Sequence, residues 1–433
     1  MRDNFFTKHS VIKSTFIVMV ISGIGYILSF FSQILIAKYF GTSKDVDAFV
    51  AAKIIPDVLY GMVTVIFTTV FIMCFSKYIH HKKKSHTIAQ NTFTIALIGG
   101  VVGTGLLIIF APMLAKIVAP GFDAERILVT TQLLRILSVS VLLLSLISLM
   151  TGILYSYHEF LFSNLLKVFL PLGIIMGILF LSGVLGIKSL AVGTVIGVGF
   201  TLIFQGYKLY KKGFSYRWRF NLKDRVFLQI LQLSWPLLIS SLFFYVNRTV
   251  NTMFASLLPS GNVAILNYAF IIVSTPVILF SGSITTTTYP LLSQLHIKNK
   301  QKSLKEIFDG TVRWTILLLV PISLVFIFFG KVMIRILFER GAFTSANTIE
   351  VSGALVFYSI GLVAMGLQAA LFNLLHSKRK MKLVMILMII MFISNLAFNT
   401  LFIKGLGYHG LALAMSLAYW INVGIGWVIV RKI

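Results

Sequence analysis

Five basic side chains sit inside otherwise apolar stretches of this chain: Lys53, Arg135, Lys167, Arg248 and Arg313. An ionised group so placed costs about 2.5–3.5 kcal/mol on membrane-insertion scales, so it faces a partner or a water-filled cavity and marks a ligand path. Asp57 is the one acid clearly within such a stretch, because Asp47, Asp309 and Glu350 fall at stretch ends. A cationic excess of this kind suits an anion, above all a phosphate or pyrophosphate, whose oxygens accept charge-assisted hydrogen bonds. It suits a cationic drug poorly. Depth sorts the five: Lys167 and Arg313 are within about two turns of a stretch end and can snorkel, Lys53 can pair with Asp57 at i,i+4, and Arg135 is about two turns from its end. Arg248 is about ten residues from Leu258, with no acid in its own stretch. A substrate anion or the carbonyls of a broken helix would satisfy it.

Amides form a second pattern. Asn247 and Asn251 share a helix face at i,i+4, as do Asn395 and Asn399. Helix–helix hydrogen bonding and cation coordination at Asn251, Asn395 and Asn399 are both open readings. The eight histidines fall in loops or near stretch ends, and the single cysteine, Cys74, lies in an apolar run. No catalytic group, cofactor, disulfide or bound metal is therefore expected.

The elements that must hold these residues are membrane helices. Of 433 residues, 58% are hydrophobic and 12% charged, against the roughly 25% charged of a soluble domain. Apolar runs long enough to cross a ~30 Å hydrocarbon core recur throughout. Between charged, Pro and Gly breaks they give twelve helices at roughly 14–38, 47–76, 88–113, 127–155, 161–183, 187–210, 228–257, 263–294, 307–330, 347–374, 382–403 and 409–430. Most of the 38 Lys and Arg collect in the N-terminal segment, the even-numbered loops and the C-terminus. Both termini are thus expected to be cytoplasmic, with the densest basic loop at Lys208–Arg225. The net charge of +26 is largely this topology signal and implies no nucleic acid.

The chain also matches itself at an offset of about 221. Leu185-Gly186-Ile187-Lys188-Ser189-Leu190-Ala191 faces Leu406-Gly407-Tyr408-His409-Gly410-Leu411-Ala412, Ala48-Phe49 faces Ala269-Phe270, and Pro120–Ser156 faces Gly341–Ser377. The fold expected is all-α: a polytopic membrane protein of twelve transmembrane helices in two pseudo-symmetric six-helix lobes, residues 1–215 and 216–433. Repeats related along the membrane normal are typical of alternating-access transporters.

Several motifs resemble one family. Ala37-Lys38-Tyr39-Phe40-Gly41, Asp47-Ala48-Phe49, Pro56, Ala119-Pro120-Gly121-Phe122, Phe338-Glu339-Arg340-Gly341-Ala342-Phe343-Thr344, Tyr358–Leu362 and Gly410–Ala414 are similar to those of the MviN/MurJ family of lipid II flippases. The resemblance implies the multidrug/oligosaccharidyl-lipid/polysaccharide exporter fold. It also implies a lipid-linked saccharide substrate on undecaprenyl pyrophosphate, flipped from the cytoplasmic to the outer leaflet of a bacterial plasma membrane for cell-wall biogenesis, with cell-envelope biosynthetic enzymes as possible partners. Family members that act on lipid II typically place arginines in the first, second and eighth helices, where this chain aligns Tyr26, Ser32, Tyr60 and Ile271. Asp47 is kept, and Lys53, Arg135, Arg248 and Lys167 are the other candidates to meet the substrate. Some members bind sodium with an acid in the seventh helix and an Asn/acid pair in the eleventh, where this chain has Asn251, Asn395 and Asn399.

The expected function is lipid-linked glycan flipping by alternating access, for lipid II or for a surface-polysaccharide repeat unit. A cation-coupled drug exporter would need more acids than Asp57. A membrane glycosyltransferase would need acid/base residues and a sizeable outer loop, whereas Pro259-Ser260-Gly261 is short.

Overall fold

The computed structural model describes residues 8–298 and 300–431, and the side chains of residues 8–15, 236, 240, 243, 244, 248, 281–287 and 290 fall outside that description. The described residues form helices α1 (Lys8–Phe40), α2 (Lys44–Val65), α3 (Lys82–Val118), α4 (Ala124–Ser156), α5 (Leu166–Leu185), α6 (Lys188–Lys211), α7 (Arg225–Ser256), α8 (Asn262–Ile297), α9 (Gln301–Phe338), α10 (Ser345–Ser377) and α11 (Met381–Arg431), with a separate turn of helix at Phe160–Ser163. The helix begun by α2 continues through a π-helical turn, Ile66–Phe71, to Tyr78. Ten of the described helices are long and apolar enough to cross a membrane. That count differs from the expected twelve at two places. The pair expected at 382–403 and 409–430 runs together as α11, interrupted only at Gly407 (φ +56), and α7, several of whose side chains fall outside the description, is not counted among the ten.

Burial follows the logic of a helix bundle in lipid. Along α9, Thr311, Thr315, Leu319, Ser323, Phe326 and Gly330 turn inward, while Leu317, Phe328, Phe329 and Ile336 are exposed. Small and hydroxylated residues on the inward face let helix pack on helix, and the apolar side chains of the opposite face point outward, where acyl chains would solvate them.

The repeat is present in the backbone. Helices α4 and α10 are 33 residues each, and both start on a side-chain cap, Asp123 accepting from Arg126 N–H and Thr344 from Asn347 N–H. Past their ends, His158 and Arg379 both adopt φ +58. Gly186 (φ +53, ψ −134) and Gly407 (φ +56, ψ −133) break their helices in the same way, a conformation that favours glycine. Each pair stands at the offset of about 221 read from the sequence.

The chain divides into two compact units. Unit 1 comprises Met1–Tyr39, Ala51–Val118 and Asp123–Leu242. Its core gathers Phe71 and Phe75, stacked at 4.9 Å, with Ile88, Ile153, Leu154 and Leu209. Helices α5 and α6 meet backbone to backbone through Gly173, Gly177, Gly193 and Gly197, a reciprocal small-xxx-small contact. In the turn after α4, Glu159 accepts from Lys208 at 3.0 Å and Lys212 at 2.6 Å. Burial by itself would raise its carboxyl, but the two ammonium groups outweigh burial and hold it below the usual range. Unit 2 comprises Phe40–Val50, Ala119–Phe122 and Phe243–Ile433, with Tyr268, Phe338 and Phe343 fully buried in mutual ring contact.

Candidate functional site

The motifs scattered through the sequence assemble within unit 2. Helix α8 begins at Gly261 (φ +95) with no capping side chain of its own, so its first amides need an acceptor from elsewhere. Asp47 supplies it: Oδ2 accepts from Gly261 N–H at 2.5 Å and Oδ1 from Ala264 N–H at 2.8 Å, and the residue is fully buried. A carboxylate on a helix N-terminus is favoured by the helix dipole as well as by the hydrogen bonds. Around it, Tyr268 donates to the Gly41 carbonyl at 3.1 Å, Asn347 Nδ2 to Thr42 Oγ1 at 2.7 Å, and Gly121 N–H to Ser256 Oγ at 3.1 Å. Gly41 (φ +59) and Gly261 lie so close to the Ala342 and Thr42 carbonyls that a Cβ on either would meet the oxygen at 2.5–2.6 Å. Segment 40–50 is thus clasped to the starts of α8 and α10, and segment 119–122 to the end of α7. Both Asp47 oxygens are committed to this clasp.

The intramembrane cations in unit 1 have separate partners. Lys53 lies 3.7 Å from Asp57, as the i,i+4 spacing suggested, with both side chains partly exposed. Arg135 Nε donates to the Ile108 carbonyl at 3.3 Å. Pro112, inside α3, lacks the N–H that would otherwise take that carbonyl, so the arginine fills a gap left by a proline. Lys167 Nζ donates to Ser22 Oγ of α1 at 2.8 Å, and its carbonyl, left without a donor by Pro171, faces Gly25 of α1. Two of the expected substrate cations therefore sit at proline-disturbed turns, a signal present in the sequence as Pro112 and Pro171. Arg135→Ala is expected to lower unfolding stability by about 1 kcal/mol, and Pro112→Ala in that background to restore it; thermal melts of the single and double variants check this. The Arg248 side chain lies outside the described residues.

The four asparagines do converge. Asn395 donates to Asn247 and Asn251 at 3.0 Å each, and Asn399 to Asn251 at 2.9 Å and to Asn395 at 3.2 Å. Asn251 turns its own Nδ2 to Met415 Sδ at 3.1 Å. Asn395 and Asn399 are fully buried, and Asn399 Oδ1 is a buried acceptor with no partner. The cluster joins α7 to α11 without a formal charge. Among the described residues no group of three or more His, Cys, Asp or Glu could hold a metal ion.

The sequence profile described as "Lipid II flippase MurJ" matches residues 36–433. The chain belongs to the MurJ family of lipid II flippases. A curated MurJ relative, the probable lipid II flippase of Buchnera aphidicola subsp. Schizaphis graminum, is 31% identical over 95% of this chain and 82% of its own length. Among solved structures, "Lipid II flippase MurJ, inward closed conformation" superposes with a TM-score of 0.85 at 24% identity, covering 96% of this chain and 87% of its own. An inward-facing multidrug-resistance transporter of the MATE family superposes with a TM-score of 0.82 at 15% identity, over 96% and 97% of the two chains. The all-α polytopic fold is thus the MurJ/MATE transporter fold. The MurJ motifs quoted from the sequence, Gly41, Asp47, Pro120–Phe122 and Phe338–Thr344, are the ones that build the clasp.

Proposed function

We propose that this protein flips an undecaprenyl-pyrophosphate-linked saccharide, lipid II or a closely related envelope precursor, from the cytoplasmic to the outer leaflet by alternating access. The match to the lipid II flippase family over residues 36–433 carries the reading. Arg248, Arg135, Lys53 and Lys167 supply positive charge within the membrane for the pyrophosphate, while the prenyl tail stays in lipid. The proposed architecture is two six-helix lobes, 1–215 and 216–433, with both termini cytoplasmic in a bacterial plasma membrane. The clasp on Asp47 holds segments 40–50 and 119–122 in unit 2, and its release is the step proposed to accompany outward opening. The asparagine cluster is proposed to act first as helix–helix bonding. A cation held by Asn251, Asn395 and Asn399 would have to displace the Asn–Asn bonds, with the unpartnered Asn399 Oδ1 as its first ligand.

One observation favours a second reading: Tyr26, Ser32, Tyr60 and Ile271 stand where lipid II-specific members have arginines, which fits a surface-polysaccharide precursor on the same pyrophosphate carrier. Envelope biosynthetic enzymes would then supply and consume the substrate. The test is leaflet accessibility of labelled lipid-linked sugars in cells with and without the protein. Loss of outer-leaflet lipid II on depletion is expected; loss of a different lipid-linked glycan selects the second reading, and no change in any of them overturns both.

A further inference from the structure

The segment joining α6 to α7 alternates in type. Phe214, Tyr216, Trp218, Phe220 and Leu222 interleave with Ser215, Arg217, Arg219, Asn221 and Lys223. It contains no regular helix from 214 to 221, yet it is firmly held. Buried Asn91 of α3 grips it twice, donating to the Asn221 carbonyl at 2.9 Å and accepting from Asn221 N–H at 2.7 Å. Buried Gln90 donates to the Ser215 carbonyl at 2.7 Å, buried Thr94 meets Tyr216 Oη at 3.1 Å, and Arg219 reaches Thr87 at 2.6 Å. The side chains left outside this grip are aromatic and cationic: Trp218 is 66% exposed and Phe220 51%, with Arg217 and Lys223 exposed beside them. The strap runs beside the first turns of α3, where Lys82, Lys83 and Lys84 open the helix and, with Lys77, His80 and His81, line a shallow basin. Asp224 caps α7, its Oδ1 accepting from Val226 and Phe227 N–H.

We propose that this strap is an interfacial anchor for anionic phospholipid, with Trp218 and Phe220 entering the headgroup–acyl boundary and Arg217, Arg219 and Lys223 bonding lipid phosphates. Tryptophan and tyrosine gather at that boundary because one end of each ring is apolar and the other wet. Basic residues next to a membrane contribute about 1 kcal/mol each toward anionic headgroups. A solvated loop would need no buried Gln, Asn and Thr to hold it; the grip fixes the row of rings at one depth against α3. Placing the strap in the cytoplasmic leaflet rests on the orientation proposed above.

The experiment follows Trp218 emission in the full chain, reconstituted in phosphatidylcholine nanodiscs with rising phosphatidylglycerol, against Trp218→Phe as the background. A blue shift that saturates with phosphatidylglycerol is expected. The Arg217→Gln/Arg219→Gln/Lys223→Gln variant should need on the order of a hundredfold more anionic lipid for the same shift. An identical shift in pure phosphatidylcholine, an unchanged requirement in the triple variant, or the same shift produced by inorganic phosphate would overturn the proposal. Nanodiscs present the same lipid to both faces, so this result does not depend on orientation. Orientation is read separately, from labelling of Ser215→Cys in a Cys74→Ser background on intact cells: outside labelling would overturn the cytoplasmic placement and leave the lipid result standing.

Discussion

Asp47→Ala is expected to abolish flipping and to loosen unit 2. The buried carboxylate accepts from Gly261 N–H and Ala264 N–H, and hydrogen bonds to a charged group contribute about 1.5–3 kcal/mol each. Losing both, with the two amides left buried, should lower stability by about 3–6 kcal/mol. Asn is expected to fail almost as badly as Ala. One amide oxygen can replace one carboxylate oxygen, but the Asn Nδ2 would then face a backbone N–H, donor against donor. This outcome separates a cap from a substrate contact, for which a neutral isostere would keep the shape and lose only charge. Thermal unfolding of purified variants, together with leaflet accessibility of the lipid-linked sugar, checks it. An Asp47→Asn protein that melts and flips like the wild type would remove the clasp from the mechanism.

The clasp also illustrates what can be read from a sequence of this kind. Helices were legible wherever the signal is local: the breaks at Gly186 and Gly407 and the apolar runs around them depend on near neighbours alone. The repeat was legible because two copies of one backbone keep the same demands at the same offset. Asp47 could be singled out as an acid at a span end, but its partners lie more than 200 residues away and are backbone amides, which carry no residue-type signal. The missing cap at Gly261 was the only hint. Arg135 stands out as an intramembrane charge, but the carbonyl its Nε meets, exposed by a proline on a different helix, carries no residue-type signal. The i,i+4 reading of Lys53 with Asp57 and the shared face of each asparagine pair required only helical geometry, whereas the meeting of the two pairs across helices did not follow from it.

Arg248→Ala is expected to reduce flipping at least a hundredfold while leaving the protein inserted and at least as stable. The two halves of that expectation come from the same term. A guanidinium deep in an apolar stretch is unfavourable by about 2.5–3.5 kcal/mol, so removing it should not weaken the fold. If it clamps the pyrophosphate, its removal takes away two parallel hydrogen bonds and a desolvated charge at once. Arg248→Lys should fall between, because an ammonium keeps the charge and loses the planar fork. Arg135→Ala instead adds a loss of stability, cured by Pro112→Ala, so the two arginines can be distinguished by measuring melting and flipping on each variant. Wild-type flipping by Arg248→Ala protein present in the membrane at normal level would refute the clamp, and a melting temperature that falls with activity would reassign Arg248 to helix packing.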